Sequence, residues 1–325
     1  MKKTLIALAV LAASGASFAQ VTITGSLAMG YTAKTTAGVD TSGLGVDTSE
    51  VYFNATEDLG GGMKIAAKMG LAGADRSGES GNGSVNGRDA SLALTTGAGM
   101  FVLSANRAAD YLSGGVSGVA GIGMDGKTFG ARRIADAIAY VVPVGPAVLT
   151  LQHQENDLAK GAIGLGVNAT GSNLQRLNVI GLGYAAGKLA VNGQYLSYDN
   201  RSNAAGGAAN ATASYVTRAA ASYDLGVAKL GLGVSQANYT GGGTAQEWLV
   251  GASVPMGALT FGAQYSSRKQ SDMVIAADGT TFGSGLKVSY DLSKRTSIVS
   301  TYTRWDVLNQ STANTEWATL LVHNF

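Results

Sequence analysis

The chain has 325 residues, among them 47 glycines, three prolines and no cysteine. No disulfide, zinc–thiolate site or thiol nucleophile can therefore be built, and two histidines, His153 and His323, leave little material for histidine catalysis or metal binding. The formal charge of +2 is that of Lys2 and Lys3; without them 21 basic residues face 21 acidic ones, and the basic excess of a nucleic-acid binder is missing.

Residues 1–19 read as a secretory signal. Lys2 and Lys3 give the positive start, Leu5 to Ala13 an apolar run, and Ser17-Phe18-Ala19 a small-residue cleavage site, so the mature chain is expected to begin at Gln20. The run is too short to cross ~30 Å of hydrocarbon as a helix. No later apolar run is long enough either. A membrane form of this chain would have to be a closed sheet, the other structure that satisfies its backbone in lipid.

Period-2 alternation begins at once. Val21, Ile23, Leu27, Met29 and Tyr31 alternate with Thr22, Thr24, Ser26 and Thr32. The pattern returns at Met63–Leu71, Trp248–Val254, Leu259–Tyr265 and Phe282–Tyr290, interleaved with Lys64, Lys68, Glu247, Ser253, Gln264, Ser266, Lys287 and Ser289. Seven tight turns punctuate the chain, at 58–61, 97–99, 143–146, 186–188, 224–226, 255–257 and 291–294, and they take in Pro143, Pro146 and Pro255. Longer polar stretches lie between them, near 34–45, 75–86, 108–131, 159–171, 200–211, 240–244, 270–281 and 306–313. Seven short turns and eight long loops predict an all-β chain of sixteen antiparallel strands.

Alternation alone fits a soluble sandwich or a membrane barrel. Sorting of the connections into short and long favours a transmembrane barrel with short periplasmic turns and longer external loops. Sixteen strands leave an aqueous channel. Trp248, Trp305 and Trp317 and many tyrosines fall near predicted strand ends, where interfacial girdles sit. In the last strand, about Asn314 to Phe325, Trp317, Leu321 and Phe325 share one parity.

The runs EDLGGGMK (Glu57–Lys64), YDLGVAKL (Tyr223–Leu230), GASVPMG (Gly251–Gly257) and YDLSKRT (Tyr290–Thr296), with terminal Phe325, resemble general porins of Gram-negative bacteria, the beta-proteobacterial branch above all. The resemblance spans the body of the chain from residue 20 to 325. It implies a passive channel for small hydrophilic solutes and ions in the outer membrane, without cofactor or enzymatic activity. The implied partners are two further copies in a homotrimer, outer-membrane lipid, and the barrel-assembly machinery, which would read Phe325. It also implies that the third external loop folds inward opposite wall arginines.

That loop, about 108–131, is glycine-rich and carries Asp110, Asp125 and Lys127. Arg133 matches a family constriction arginine by its spacing from Tyr140, and its parity is inward. Arg107 and Arg88 match others, but strict alternation turns both outward, so each needs a bulge or a rim position. Glu50 stands where the family usually has an arginine, and it shares the inward parity. The expected consequence is weaker anion selectivity, unless Glu50 merely pairs with a neighbouring arginine. Lys64, Lys68, Arg218, Lys229 and Lys287 also read inward, consistent with the ~2–4 kcal/mol cost of Arg or Lys facing mid-bilayer.

Other patterns carry little. GLGYAAG (Gly181–Gly187) precedes a turn and a strand, not the helix a phosphate loop needs. The NAT triplets at Asn168 and Asn210 are chance sequons in such a protein. No Ser/His/acid grouping suggests a hydrolase. A channel selective for small anionic solutes is the competing reading; an outer-membrane enzyme or adhesin stands further off.

Overall fold

The computed structural model describes residues 20–73, 85–132, 134–156, 173–202, 213–273 and 276–325. Residues 1–19, Arg133 and both NAT triplets lie outside that set, as does most of the 75–86, 159–171 and 200–211 stretches. Sixteen strands run in order: β1 Gln20–Thr36, β2 Val39–Gly60, β3 Met63–Ala72, β4 Asn86–Thr96, β5 Gly99–Arg107, β6 Ile134–Val144, β7 Ala147–Asn156 and β8 Asn173–Ala186. They continue as β9 Leu189–Ser202, β10 Ala213–Asp224, β11 Lys229–Tyr239, β12 Thr244–Met256, β13 Leu259–Ser271, β14 Gly279–Asp291, β15 Thr296–Trp305 and β16 Asn314–Asn324. Each pairs antiparallel with its sequence neighbours, and β1 pairs with β16 to close the barrel. Closure gives every strand a ladder on both sides, although among the described residues the Val39–Thr48 end of β2 is laddered to β1 alone.

Alternation sets the two faces. Leu232, Val250, Leu286 and Leu321 point outward and are 46–60% exposed. In water such a surface would be an aggregation liability; in a bilayer it is the lipid-facing band. Aromatic pairs mark the long-loop end of that band: Tyr195 with Tyr215, Trp248 with Tyr265, Tyr265 with Phe282, and Tyr31 with Trp317, at centroid separations of 5.7–6.0 Å. Trp305 departs from the girdle assignment. Its parity is inward and it is 5% exposed, under the ammonium of Lys127 at 5.1 Å.

Two further expectations change. The stretch 34–45 is not an open loop: β1 and β2 continue as a ladder to Thr36 opposite Val39, joined by Ala37 and Gly38, both at positive φ. Paired left-handed residues of this kind match the twist of a hairpin. Pro143 and Pro255 lie in the final residues of β6 and β12, opposite Val148 and Thr260, whereas Pro146 is in a turn. Near a strand end, the lost donor costs the ladder little.

The seam is sealed by the last residue. Gly25 N–H donates to the Phe325 carbonyl at 2.9 Å and Phe325 N–H returns the bond at 3.1 Å. Both chain ends of the barrel therefore meet at the short-turn rim.

The best-buried apolar cluster lies inside the barrel, where the β5–β6 connection packs on the inner wall. Tyr111, Leu112, Ala120, Ile122, Met124 and Phe129 of that connection bury themselves with Ala220 and Leu249. Met124 and Leu249 are fully covered. Glycine makes the approach possible: a Cβ on Gly231 would strike the Ser117 carbonyl, and one on Gly283 would strike Thr128 and Met124.

Candidate functional site

The lumen presents two charged walls. On one side, β2, β3 and β4 bring together Glu50, Tyr52, Lys68 and Arg88. Arg88 Nη2 lies 2.5 Å from Glu50 Oε1, the Tyr52 hydroxyl donates to Glu50 Oε2 at 2.8 Å, and the Lys68 ammonium sits 4.1 Å from the Tyr52 ring centroid. Arg88 reaches this group because the β3–β4 register slips: Met69 faces Ala90, yet Leu71 faces Gly87. The surplus residue is a bulge that re-aims the side chain.

Arg107 does not join the group. It ends β5 on the exposed parity of Phe101 and Leu103, opposite Ile134, and its backbone N–H donates to Asp89 Oδ1 at 3.3 Å. No bulge intervenes in β5 to turn it. Arg133 lies outside the described residues. Lys64 is exposed on the inward parity of β3, nearer the short-turn rim.

The opposite wall is β8–β16 with the β5–β6 connection laid against it. Lysines tie the connection down. Lys127 Nζ donates to Thr303 Oγ1 and to Glu316 Oε1, both at 2.9 Å, and Lys287 Nζ to the Gly121 carbonyl at 3.2 Å. Gln264 Nε2 holds the Ile122 carbonyl at 2.9 Å, and Tyr111 donates to the Asn192 carbonyl at 3.2 Å.

Two acids face the channel from the connection. Ser113 donates to Asp110 through both N–H and hydroxyl, at 2.9 and 2.6 Å. Burial raises the Asp110 carboxyl above its usual range; the Ser113 hydroxyl offsets this in part, and the charge of Asp125 adds to the rise. Burial would also raise Asp125, but the hydrogen bond and charge of Arg132, 2.6 Å away, outweigh it and hold Asp125 low. The Arg218 guanidinium stacks 5.3 Å from the Tyr111 ring. Burial pushes the Tyr111 hydroxyl up to about 12, against the opposing charge of Arg218.

Sequence reasoning missed Arg132, Arg268 and Glu316, and named Glu247 only as one of the polar positions alternating with the apolar face. Glu247 and Arg268 sit opposite each other in the β12–β13 ladder on inward parity. Inward alternation therefore pointed at both. Arg132 and Glu316 gain their roles only from how the connection folds, which no local signal encodes.

The arrangement offers fixed charges of both signs lining an open lumen. Among the described residues no three His, Cys, Asp or Glu side chains converge as metal ligands.

The family model for Gram-negative porins matches residues 4–310. Outer membrane porin protein 32 of Delftia acidovorans is 52% identical over 71 residues, a match spanning 20% of this chain and 20% of that relative's length. Among solved structures, an anion-selective porin from Comamonas acidovorans superposes with a TM-score of 0.70 at 19% identity, covering 95% of this chain and all of that one. The trimer form of OmpT, an outer membrane protein of Vibrio cholerae, gives 0.65 at 15% identity, covering 94% of this chain and 99% of that one. At such identities the superpositions speak to the fold.

Proposed function

The chain belongs to the Gram-negative porin family, and on that premise we propose that it is a passive channel for small hydrophilic solutes and ions across the outer membrane. The observation that carries this is the lumen itself: a closed sixteen-strand wall, wide enough for an aqueous channel, with one connection packed on its inner face and charge of both signs lining it. No step of bond making is required of it. Residues 1–19 act as the export signal, and three barrels assemble as a homotrimer, by analogy with the trimer form of its structural neighbour. Phe325, at the closing seam, is the residue offered to the assembly machinery.

The constriction is assigned to the 108–132 connection facing Arg88 and Glu50, with Asp110, Asp125 and Arg132 on the loop side and Arg133 beside them in sequence. Lys68 and Arg218 are the wall residues beside it, and Lys64 lies nearer the short-turn rim. Solute size is the test. In proteoliposomes, swelling rates should fall steadily from pentose to hexose to disaccharide and should not saturate with concentration. Saturable uptake of one solute would instead support the channel selective for small anionic solutes.

Ion preference should depend on pH in a defined direction. Asp110 takes up its proton above the ordinary ~3.9 of an aspartate, while Asp125 keeps its charge to lower pH. Acidification from neutral pH thus removes a negative charge from the loop, and the zero-current potential in a salt gradient should move toward anion preference. Asp110→Asn should reproduce that shift at neutral pH and remove the upper part of the titration. A pH profile identical in wild type and Asp110→Asn would contradict the assignment.

A further inference from the structure

The inner wall is not uniformly polar. At the long-loop end of β8, β9 and β10 the lumen-facing positions are Leu177, Val179, Leu196 and Val216, all buried and packed together. On the outward face of the same stretch the polarity is reversed. Arg176 Nε pairs with Glu155 Oε1 at 2.9 Å, and His153 meets Asn178 at 2.8 Å. A channel for hydrated ions gains nothing from an apolar wall, since barrel interiors of this kind are polar.

The patch forms one side of a cavity of about 390 Å³ between the wall and the 108–132 connection. Its other sides carry three carboxylates and three guanidiniums: Asp110, Asp125, Glu247, Arg132, Arg218 and Arg268. Each carboxylate is engaged. Asp125 has Arg132, Asp110 has Ser113, and Glu247 has Arg268 at 3.6 Å. Arg218 is the exception. It rests on the Tyr111 ring and forms no close ion pair among the described residues, its charge reaching Glu247 only from further off. It lies two residues from Val216 on the same strand face, ~6.8 Å along the strand. Val216 faces Leu196, and Leu196 faces Val179.

The geometry points to a binding site for a small monocarboxylate with an aromatic or aliphatic body, the carboxylate on Arg218 and the body on the Leu177–Val179–Leu196–Val216 patch. A guanidinium whose N–H groups are not taken up by a close ion pair recognises a carboxylate through paired, charge-assisted hydrogen bonds. An apolar wall beside it discriminates against a small hydrophilic anion of equal charge, because only an apolar body packs against the part of that wall that faces the cavity and displaces the water there. Pockets of this size that combine an apolar surface with a few placed polar groups are of the ligand-binding kind. The site rests on the channel reading, and it deepens it: such solutes would be held at the constriction itself, whose Asp110, Asp125 and Arg132 line the same cavity.

The test is current block in a planar bilayer by benzoate, with acetate and benzyl alcohol as controls lacking the ring or the charge. Benzoate should reduce single-channel current in a saturable manner at concentrations where both controls do little. Arg218→Gln and, separately, Leu196→Asn should raise the half-blocking concentration about tenfold, equivalent to ~1.4 kcal/mol. Val216→Thr, nearly isosteric, provides a milder probe if Leu196→Asn fails to assemble, and should weaken block in the same direction. Benzoate acting no better than acetate, or block unchanged in Arg218→Gln and in the apolar-wall variant, overturns the site while leaving a conducting channel in place. A wild-type protein that never conducts overturns the channel reading itself.

Discussion

Glu50→Gln is expected to make the channel more anion-preferring and the barrel less stable at once. Glu50 is the counter-ion of Arg88 and the acceptor of the Tyr52 hydroxyl. While the pair is intact, its two charges cancel over most of the lumen, because opposite charges 2.5 Å apart look like a dipole to a passing ion. Neutralising Glu50 exposes the full field of Arg88 and leaves Lys68 beside it. In a tenfold salt gradient the zero-current potential should then shift by on the order of 10 mV toward the anion limit, which lies at ~59 mV for a monovalent ion. The partly buried guanidinium that is left unpaired should cost about 1–3 kcal/mol, visible as a lower midpoint of unfolding in detergent. An unchanged potential with a lowered midpoint would make the pair purely structural, the alternative that the sequence left open.

Excising residues 111–129 and bridging the gap with a short Gly-Ser link should raise single-channel conductance by about twofold or more, since a bare sixteen-strand wall encloses an open aqueous channel. The barrel should survive. Its ladders close from β1 to β16 without help from the connection, although Ala220 and Leu249 lose their cover. If the shortened protein fails to assemble, Lys127→Met with Lys287→Met keeps the loop and cuts its two lysine ties. That variant should show noisier open-channel current. Wild-type conductance and noise in both would mean that the connection does not set the narrowest section.

The barrel was legible because its two signals are local. Period-2 alternation needs only neighbouring residues, and short turns carrying Gly, Asp or Pro mark where strands reverse. The misses have physical causes. Residues 34–45 look like a loop because Thr, Ser, Gly and Asp lack an apolar face, yet backbone bonding to β1 alone carries the ladder there. Such a hairpin needs no buried side chains, so its side chains cannot reveal it. Trp305 stands at a strand end, but placement along a strand does not fix which face a residue takes.

The lumen was legible only in part. Parity placed Glu50, Lys68 and Arg218 inward. It also turned Arg88 outward, and only the slip between Met69 and Leu71 corrects that. A bulge depends on two strands at once and leaves no trace in either sequence alone. The apolar lumen patch was hidden for a related reason. From Leu177 to Leu182, β8 carries apolar residues on both parities, so alternation there assigns no face.

Single-channel recording in a planar bilayer tests the central claim most directly. The purified chain should insert in discrete steps, conduct ohmically at low voltage, and show a conductance that grows linearly with salt concentration, as a water-filled lumen requires. A protein that folds as a barrel but carries no current, or whose conductance saturates at low salt, would contradict a passive channel.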